Sequence, residues 1–347
     1  MDPLSQAALG AAAAVLAQGR DDKITLPWVV ALGAAGGMAA DLDVLIRSSE
    51  DPLLAIEFHR HFTHSLAFIP WGGAIAFLPF LLVARIRLAW RKAFILCLLG
   101  YLTHGPLDAL TTYGTQLFWP WSDQRVALSI VSVVDPLVTL PLIVGLTLTL
   151  IYKTRRPTVW ASFWMVAYLC LGGVQHWRAT QLQEELIAAR GHRATRSTVL
   201  VGFMNQLTWR SLYEEESTIR IDALRVPYWG EPCVQEGGMV ALWSDENFLQ
   251  SDRLLRAFQL MHWFSDDWVG QVPGHPDWLG DLRYSGQSAG VMPLWAVSID
   301  FPNEDYDWVR TRLERDLSFE KVWDRIVLPP GGPACVALSD LKKASGF

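Results

Sequence analysis

The sequence predicts a mainly α-helical protein in two parts: a polytopic helical membrane domain over residues 1–177, then a soluble α+β domain over residues 178–347. Three observations carry this. Of 347 residues, 51% are hydrophobic and only 18% charged, against roughly 25% charged in ordinary soluble domains. The mean hydropathy is positive, and there are 17 tryptophans. The charge is also uneven: Ala7 to Gln175 is apolar with short charged breaks, whereas Arg178 to Phe347 has a soluble composition.

A spanning helix needs about 20 mostly apolar residues. Four stretches supply clear spans: Phe62 to Ala84, Lys92 to Thr112, Pro136 to Tyr152 and Thr158 to Gln175. Two shorter runs precede them, Leu4 to Ala17 and Ile24 to Ala40, as short tilted spans or as half-buried helices packed on the other four. The N-terminus has no basic region and no small-residue cleavage site, so a cleaved signal is not expected.

Lysine and arginine in short loops mark the cytoplasmic side. Arg85, Arg87, Arg91 and Lys92 form one such loop, and Lys153, Arg155 and Arg156 another; if the short runs also cross, Arg20 and Lys23 form a third. Residues 41–62, 113–134 and everything after Gln175 then lie outside, and the soluble domain is extracytoplasmic. Cys97 and Cys170 sit in apolar runs as packing residues. Cys233 and Cys335 have no metal-site spacing and pair only if their domain faces an oxidising compartment.

This orientation gathers the unusual polar residues of the membrane domain at one face. His104 and Asp108 are spaced i, i+4 and share a helix face, which Thr111 and Thr112 continue. Ionisable residues in a span are costly and mark function; the alternative is a buried His–Asp bond that joins helices. Asp41 and Asp43 suit oxygen ligation of a metal, or simply a helix end entering solvent. In the run HRHFTHS (59–65), His59 and His64 are five apart, so they converge only if the chain bends at about Arg60 to Phe62. His61 reads as a solvated neighbour. Asp135 before Pro136 has the pattern of an N-cap, as does Asp51 before Pro52. Arg60 and Arg125 are outside-facing cations able to hold an anion, or ordinary headgroup-level arginines. A mixed His/Asp set suits zinc, with manganese or iron as alternatives, and one or two ions. Such ions activate water and polarise phosphoryl or carbonyl oxygens, so the chemistry indicated is hydrolysis. A net charge of −6 without a basic tract gives nucleic-acid binding no support.

The run of motifs resembles a known family. "MDPLSQAALGAA" at the start, "ADLDV" (40–44), "EFHRHFTHSL" (57–66), "YLTHGPLDALTTYGTQLFWPWSDQRVA" (101–127) and "VVDPLVTLPL" (133–142) are similar, in the same order, to the YdjM-type membrane-bound metal-dependent hydrolases, also described as LexA-binding, inner-membrane-associated hydrolases. The resemblance covers residues 1 to about 180. It implies a bacterial inner-membrane location. It also implies metal or catalytic roles for Asp41, Asp43, His59, His64, His104 and Asp108, with Asp135 next. The chain departs at His61, where relatives usually have glycine, and at Ala40, where they often have proline. Many relatives carry Thr-His near the N-terminus where this chain has Ser5-Gln6, so no ligand is expected there. A distant similarity to zinc phospholipases C and nucleases adds to the case for phosphodiester hydrolysis.

In the second part, residues 217–229 and 237–243 read as strands, 246–264 as an amphipathic helix, and 292–301 and 319–328 as further strands or short helices. His262, Asp266, Asp267 and His275 are scattered through a Trp-, Gly- and Pro-rich segment and read as loop residues. The domain is expected to act as a lid or substrate-selecting element. Two functions follow: a metal-dependent hydrolase of a phosphodiester or ester, such as a lipid, at the outer membrane–water boundary, or a non-catalytic membrane protein with a structural ion that acts through a partner.

Overall fold

Asp2 caps the first helix through bonds from the Leu4 and Ser5 amides, and Pro3 opens it, the arrangement that suits the unpaired amides of a helix start. The computed structural model describes residues 1–19, 23–243, 251–311 and 335–345. The described chain divides into two units: Met1–Arg47 with Phe58–Gly172, and Ser48–Glu57 with Gly173–Phe347.

The first unit is helical. Helix α1 (Pro3–Ala17), α2 (Leu26–Met38) and α6 (Trp90–Ala109) form its centre. They approach closely because glycines line their contacts: a Cβ on Gly36 would strike the Cys97 carbonyl, and one on Gly100 the Gly33 carbonyl. Small residues at crossings are how helices associate where lipid removes the hydrophobic driving force. Helix α3 (Leu54–Phe58) falls almost wholly in the 48–57 segment grouped with the second unit, and α4 (Ile69–Phe77) and α5 (Ala84–Leu88) precede α6. Helix α7 (Pro136–Tyr152) and the 34-residue α8 (Arg156–Ala189) follow.

The spans differ from the expected set. Among the described residues, two stretches are long and apolar enough to cross a bilayer, Leu26–Leu45 and Arg156–Ala189. A third arises if Leu54–His64 and Leu66–Leu82, bent by 63°, count as one. The second short run is therefore longer than the sequence suggested, because α2 continues as a 3-10 turn, Ala39–Leu45. The stretch Phe62 to Ala84 is not one straight helix. Ser65 is extended and caps the next turn by accepting from Phe68, and Pro70 and Pro79 restart the helix on either side of α4; proline lacks the amide that would carry a helix through. Helix α6 is 20 residues long but carries Arg91, Lys92, His104 and Asp108, and α7 has only 17 residues.

In the second unit, a five-stranded antiparallel sheet has the order β1-β2-β3-β4-β9: β1 Arg196–Val201, β2 Thr208–Glu215, β3 Thr218–Arg225, β4 Cys233–Ala241 and β9 Val336–Ala337. The C-terminal half of α8 packs on it through Ala179, Leu182 and Leu186 against Val199, Trp209 and Leu224. A second sheet, β5 (Val269–Val272), β6 (His275–Asp281), β7 (Trp295–Asp300) and β8 (Asp305–Arg310), is accompanied by α9 (Asp252–Ser265). The short helix α10 (Leu338–Ser345) ends the described chain. Cys233 and Cys335 form a disulfide that ties β4 to the segment entering β9. The expected element at 319–328, residues 246–250 of the expected helix, Arg20 and Phe347 lie outside the described residues. His262 pairs with Asp267 and His275 stacks on Trp278. Neither belongs to a metal-competent group among the described residues.

Candidate metal centre

Four backbone devices bring six histidines and aspartates together in the first unit. The 3-10 turn after α2 carries Asp41 and Asp43. Arg60 adopts a left-handed backbone, φ 60°, uncommon for a non-glycine residue, and this turns the chain between His59 and His64. The 3-10 turn Phe62–His64 then presents His64. Helix α6 supplies His104 and Asp108 one turn apart. Gly105 lets the His64 backbone lie directly on α6, since a Cβ there would strike the His64 carbonyl. The Tyr101 hydroxyl donates to the Thr63 carbonyl and pins the same turn.

The result is two overlapping groups able to hold a metal: Asp41, His64, His104 and Asp108, and Asp41, Asp43 and His59. In the first, the Nε2 atoms of His64 and His104 are 2.9 Å apart. Asp41 Oδ1 stands 3.5 Å from each, and Asp108 Oδ2 3.2 and 3.4 Å from them. Four ligands about 2.1 Å from one tetrahedral ion would be separated by roughly 3.4 Å, so the spacing matches.

The other ring nitrogens fix the tautomers. His104 Nδ1 lies 2.5 Å from the Gly37 carbonyl oxygen, which can only accept, so Nδ1 carries the proton. His64 Nδ1 lies 2.9 Å from Thr63 Oγ1 and 3.3 Å from Asp43 Oδ2, while the Thr63 hydroxyl donates to that same carboxylate. His64 Nδ1 therefore donates as well. With both Nδ1 atoms engaged, the two Nε2 atoms face each other with the Asp41 and Asp108 carboxylates around them, a donor set that a cation between them would satisfy. Asp108 Oδ2, aimed at the same point, is buried and accepts no hydrogen bond, whereas its Oδ1 accepts from Gln6 Nε2 at 2.9 Å and from the N-terminal amine. A ligating carboxylate held through its other oxygen is the usual support for a metal ligand.

In the second group, Asp43 Oδ1 is 3.0 Å from His59 Nδ1, and its Oδ2 accepts from the Arg60 amide at 2.8 Å. Asp43 thus reaches both His59 and His64, and Asp41 is common to both groups. His64, His104 and Asp108 are closed off, but the Asp41 side chain is 20% exposed and His59 26%, so the centre opens on that side.

Of the other candidates, Arg60 is buried, donates to Thr111 Oγ1 at 2.9 Å and stands 3.3 Å from Asp108 Oδ2. Arg125 donates to the His59 and Gly114 carbonyls. Both guanidinium groups lie over the Tyr113 ring, at 4.7 and 5.3 Å. Asp135 belongs to neither group: it caps α7 through Leu137 N and accepts from the Tyr168 hydroxyl at 3.0 Å. His61 packs among Phe58, Phe62 and Trp119. Sequence reasoning missed Gln6. Its signal was the Ser5-Gln6 pair, which stands alone as polar residues within α1 (Pro3–Ala17).

A family profile described as YdjM inner membrane protein matches residues 1–179, just over half of the chain. The chain belongs to the YdjM inner membrane protein family. It is 35% identical over 114 residues to the inner membrane protein YbcI of Escherichia coli, covering 31% of this chain and 62% of that one. It is 30% identical over 105 residues to the uncharacterized protein YfhP of Bacillus subtilis, covering 30% and 31% respectively. The match thus spans less than two thirds of either relative. No solved structure matches. Every residue of the two groups falls within the part matched to the family.

Proposed function

We propose that this protein is an integral-membrane, metal-dependent hydrolase of a phosphodiester or ester, its substrate an anionic lipid at the outer membrane–water boundary. The observation that carries the reading is the facing pair of imidazole Nε2 atoms, 2.9 Å apart, with two carboxylates completing a four-residue group able to hold a metal. The His/Asp donor set suits zinc before manganese or iron. Asp41, His64, His104 and Asp108 would hold one ion; Asp43 and His59, sharing Asp41, would hold a second. When bound, such an ion supplies Lewis-acid polarisation and activation of water.

The chain's own residues do the rest. Gly37 and Thr63 hold the imidazoles in the ligating tautomer. Gln6 and Arg60 fix the Asp108 carboxylate. Arg60 and Arg125, laid over Tyr113, place positive charge beside the centre for an anionic substrate. The partly exposed Asp41 favours a reactive site over a structural one, because structural ions are enclosed by protein ligands whereas catalytic ones keep an open position.

The arrangement in the membrane is part of the same proposal. Leu26–Leu45, a bent stretch over Phe62–Ala84, Lys92–Thr112, Pro136–Tyr152 and Thr158–Gln175 cross the bacterial inner membrane with the Arg85–Lys92 loop cytoplasmic. The second unit is periplasmic. Support comes from the lysine and arginine loops and from the Cys233–Cys335 disulfide, a bond that persists in oxidising compartments. The test is elemental analysis of the purified full chain together with a phosphodiesterase and lipase screen. Stoichiometric metal with hydrolysis that chelation removes is the expected result. Metal without any hydrolysis would leave the structural-ion alternative standing.

A further inference from the structure

Helix α8 is about 51 Å long at 1.5 Å per residue, far more than the roughly 30 Å of a hydrocarbon core. Its apolar part ends near Gln175, and its last turns belong to the second unit. Two loops of that unit meet the helix at this level. Gln175 Nε2 donates to the Gln206 and Val226 carbonyls, at 3.1 and 2.8 Å, and Arg178 donates to the Pro227 carbonyl at 2.8 Å. These are the β1–β2 loop, residues 202–207, and the β3–β4 loop, residues 226–232. The antiparallel order of β1, β2 and β3 puts both at one end of the sheet, and the β2–β3 turn, with Glu216, at the other.

The tips of these two loops are apolar and point away from the protein. Trp229 is 88% exposed and Phe203 55%, beside Trp177 of α8 at 63%. Burial elsewhere in the unit is ordinary: Trp209 and Tyr213 are fully enclosed. Earlier along α8, Trp160, Phe163 and Trp164 are also exposed, so the helix itself carries outward-facing aromatics along its apolar stretch. Tryptophan beside arginine at that level is the side-chain pattern of a membrane–water interface. Water is a poor neighbour for a Trp and a Phe at loop tips, whereas the acyl–headgroup boundary accepts both.

We infer that this end of the second unit is a membrane-contact surface, with Phe203 and Trp229 inserted into the interfacial layer of the same bilayer that α8 enters. Its partner is the lipid surface. The contact holds the sheet end against the bilayer, independently of any reaction at the metal centre.

The experiment places a photo-reactive phenylalanine analogue singly at 203, 229, 163 and 216 in the full chain, reconstituted in phosphatidylethanolamine–phosphatidylglycerol liposomes that carry a clickable lipid. Position 163 on the apolar face of α8 reports direct lipid contact, and 216 at the far end of the sheet reports solvent. Lipid adducts at 203 and 229 approaching those at 163, and several-fold above 216, are expected. Adducts no more frequent than at 216, or adducts to protein in place of lipid, would overturn the inference. All four positions are outward-facing, so the label does not threaten folding, and 203 and 229 test the surface independently of each other.

Discussion

Replacing Gly105 with alanine should disable the metal centre without touching a ligand. The added Cβ would strike the His64 carbonyl oxygen, which would have to retreat by about 1 Å to reach an ordinary contact distance. His64 Nε2 sits 2.9 Å from His104 Nε2. Such a retreat opens the pair toward about 4 Å, beyond the roughly 3.4 Å edge of a tetrahedral site. Disturbing the contacts that hold a ligand in place costs about 10–100-fold in metal affinity, up to about 2.8 kcal/mol of binding. The measurement is metal affinity by competition with a chromogenic chelator. Gly73→Ala is the control: its Cβ would crowd Leu98 on the same helix α6, away from the ligands. It should lower thermal stability by the about 1–3 kcal/mol typical of overpacking and leave metal affinity intact. If Gly105→Ala bound metal as tightly as the parent protein, the close approach of His64 to α6 would have no part in building the site.

Other consequences can be tested alongside. His104→Ala should lose the metal, while Asp108→Asn should retain part of it and lose activity, read by elemental analysis and turnover. Gln6→Ala should weaken metal binding by about 10–100-fold, the usual effect of removing a ligand's hydrogen-bond partner, and equal affinity would make Gln6 a packing residue only. Removing the disulfide with Cys233→Ser should destabilise the second unit by about 2–5 kcal/mol, visible as a lower unfolding midpoint, because the bond closes a separation of 102 residues. Burial pushes the Asp51 carboxyl up, but bonds from Arg256 and Tyr306 outweigh it and hold it below its ordinary value. Its stabilising effect is therefore complete above about pH 4 and lost as pH falls through the lowered value. The Arg256 side chain is about half exposed and solvent screens the pair, so its contribution is less than about 1 kcal/mol. Amide protection factors in residues 48–57, corrected for the intrinsic pH dependence of exchange, should fall on acidification, and Arg256→Ala should remove much of that dependence.

The residues that gather at the candidate centre were legible because each had a local signature. His104 and Asp108 share a helix face by spacing alone, and Asp41 and Asp43 end an apolar run. The need for a bend between His59 and His64 was also readable, and the left-handed Arg60 is where the chain makes it. The sequence could not give the supports. Gln6 reaches Asp108 across 102 positions, and Gly37 and Thr63 act through a carbonyl and a hydroxyl that have no pattern of their own. The straight span over Phe62–Ala84 failed because hydropathy counts apolar residues and ignores backbone breaks, here Ser65 and two prolines. Residues 48–57 gave no sign that they belong with the second unit, since Asp51 and Glu57 find Arg256 about 200 positions away. Asp135 matched both a ligand and a cap in sequence, and in the fold its carboxylate is engaged with Leu137 and Tyr168.

The central claim is that His64 and His104 share a metal ion with Asp41 and Asp108. X-ray absorption spectroscopy on the purified full chain tests it most directly. The account predicts one bound ion per chain at the least, with two imidazole nitrogens and carboxylate oxygens at about 2.0–2.2 Å, and loss of the imidazole scattering in a His64→Ala, His104→Ala double variant that remains folded. A chain purified without stoichiometric metal that takes up none on incubation with zinc, manganese or iron, or a bound ion whose spectrum is unchanged in the double variant, would contradict it.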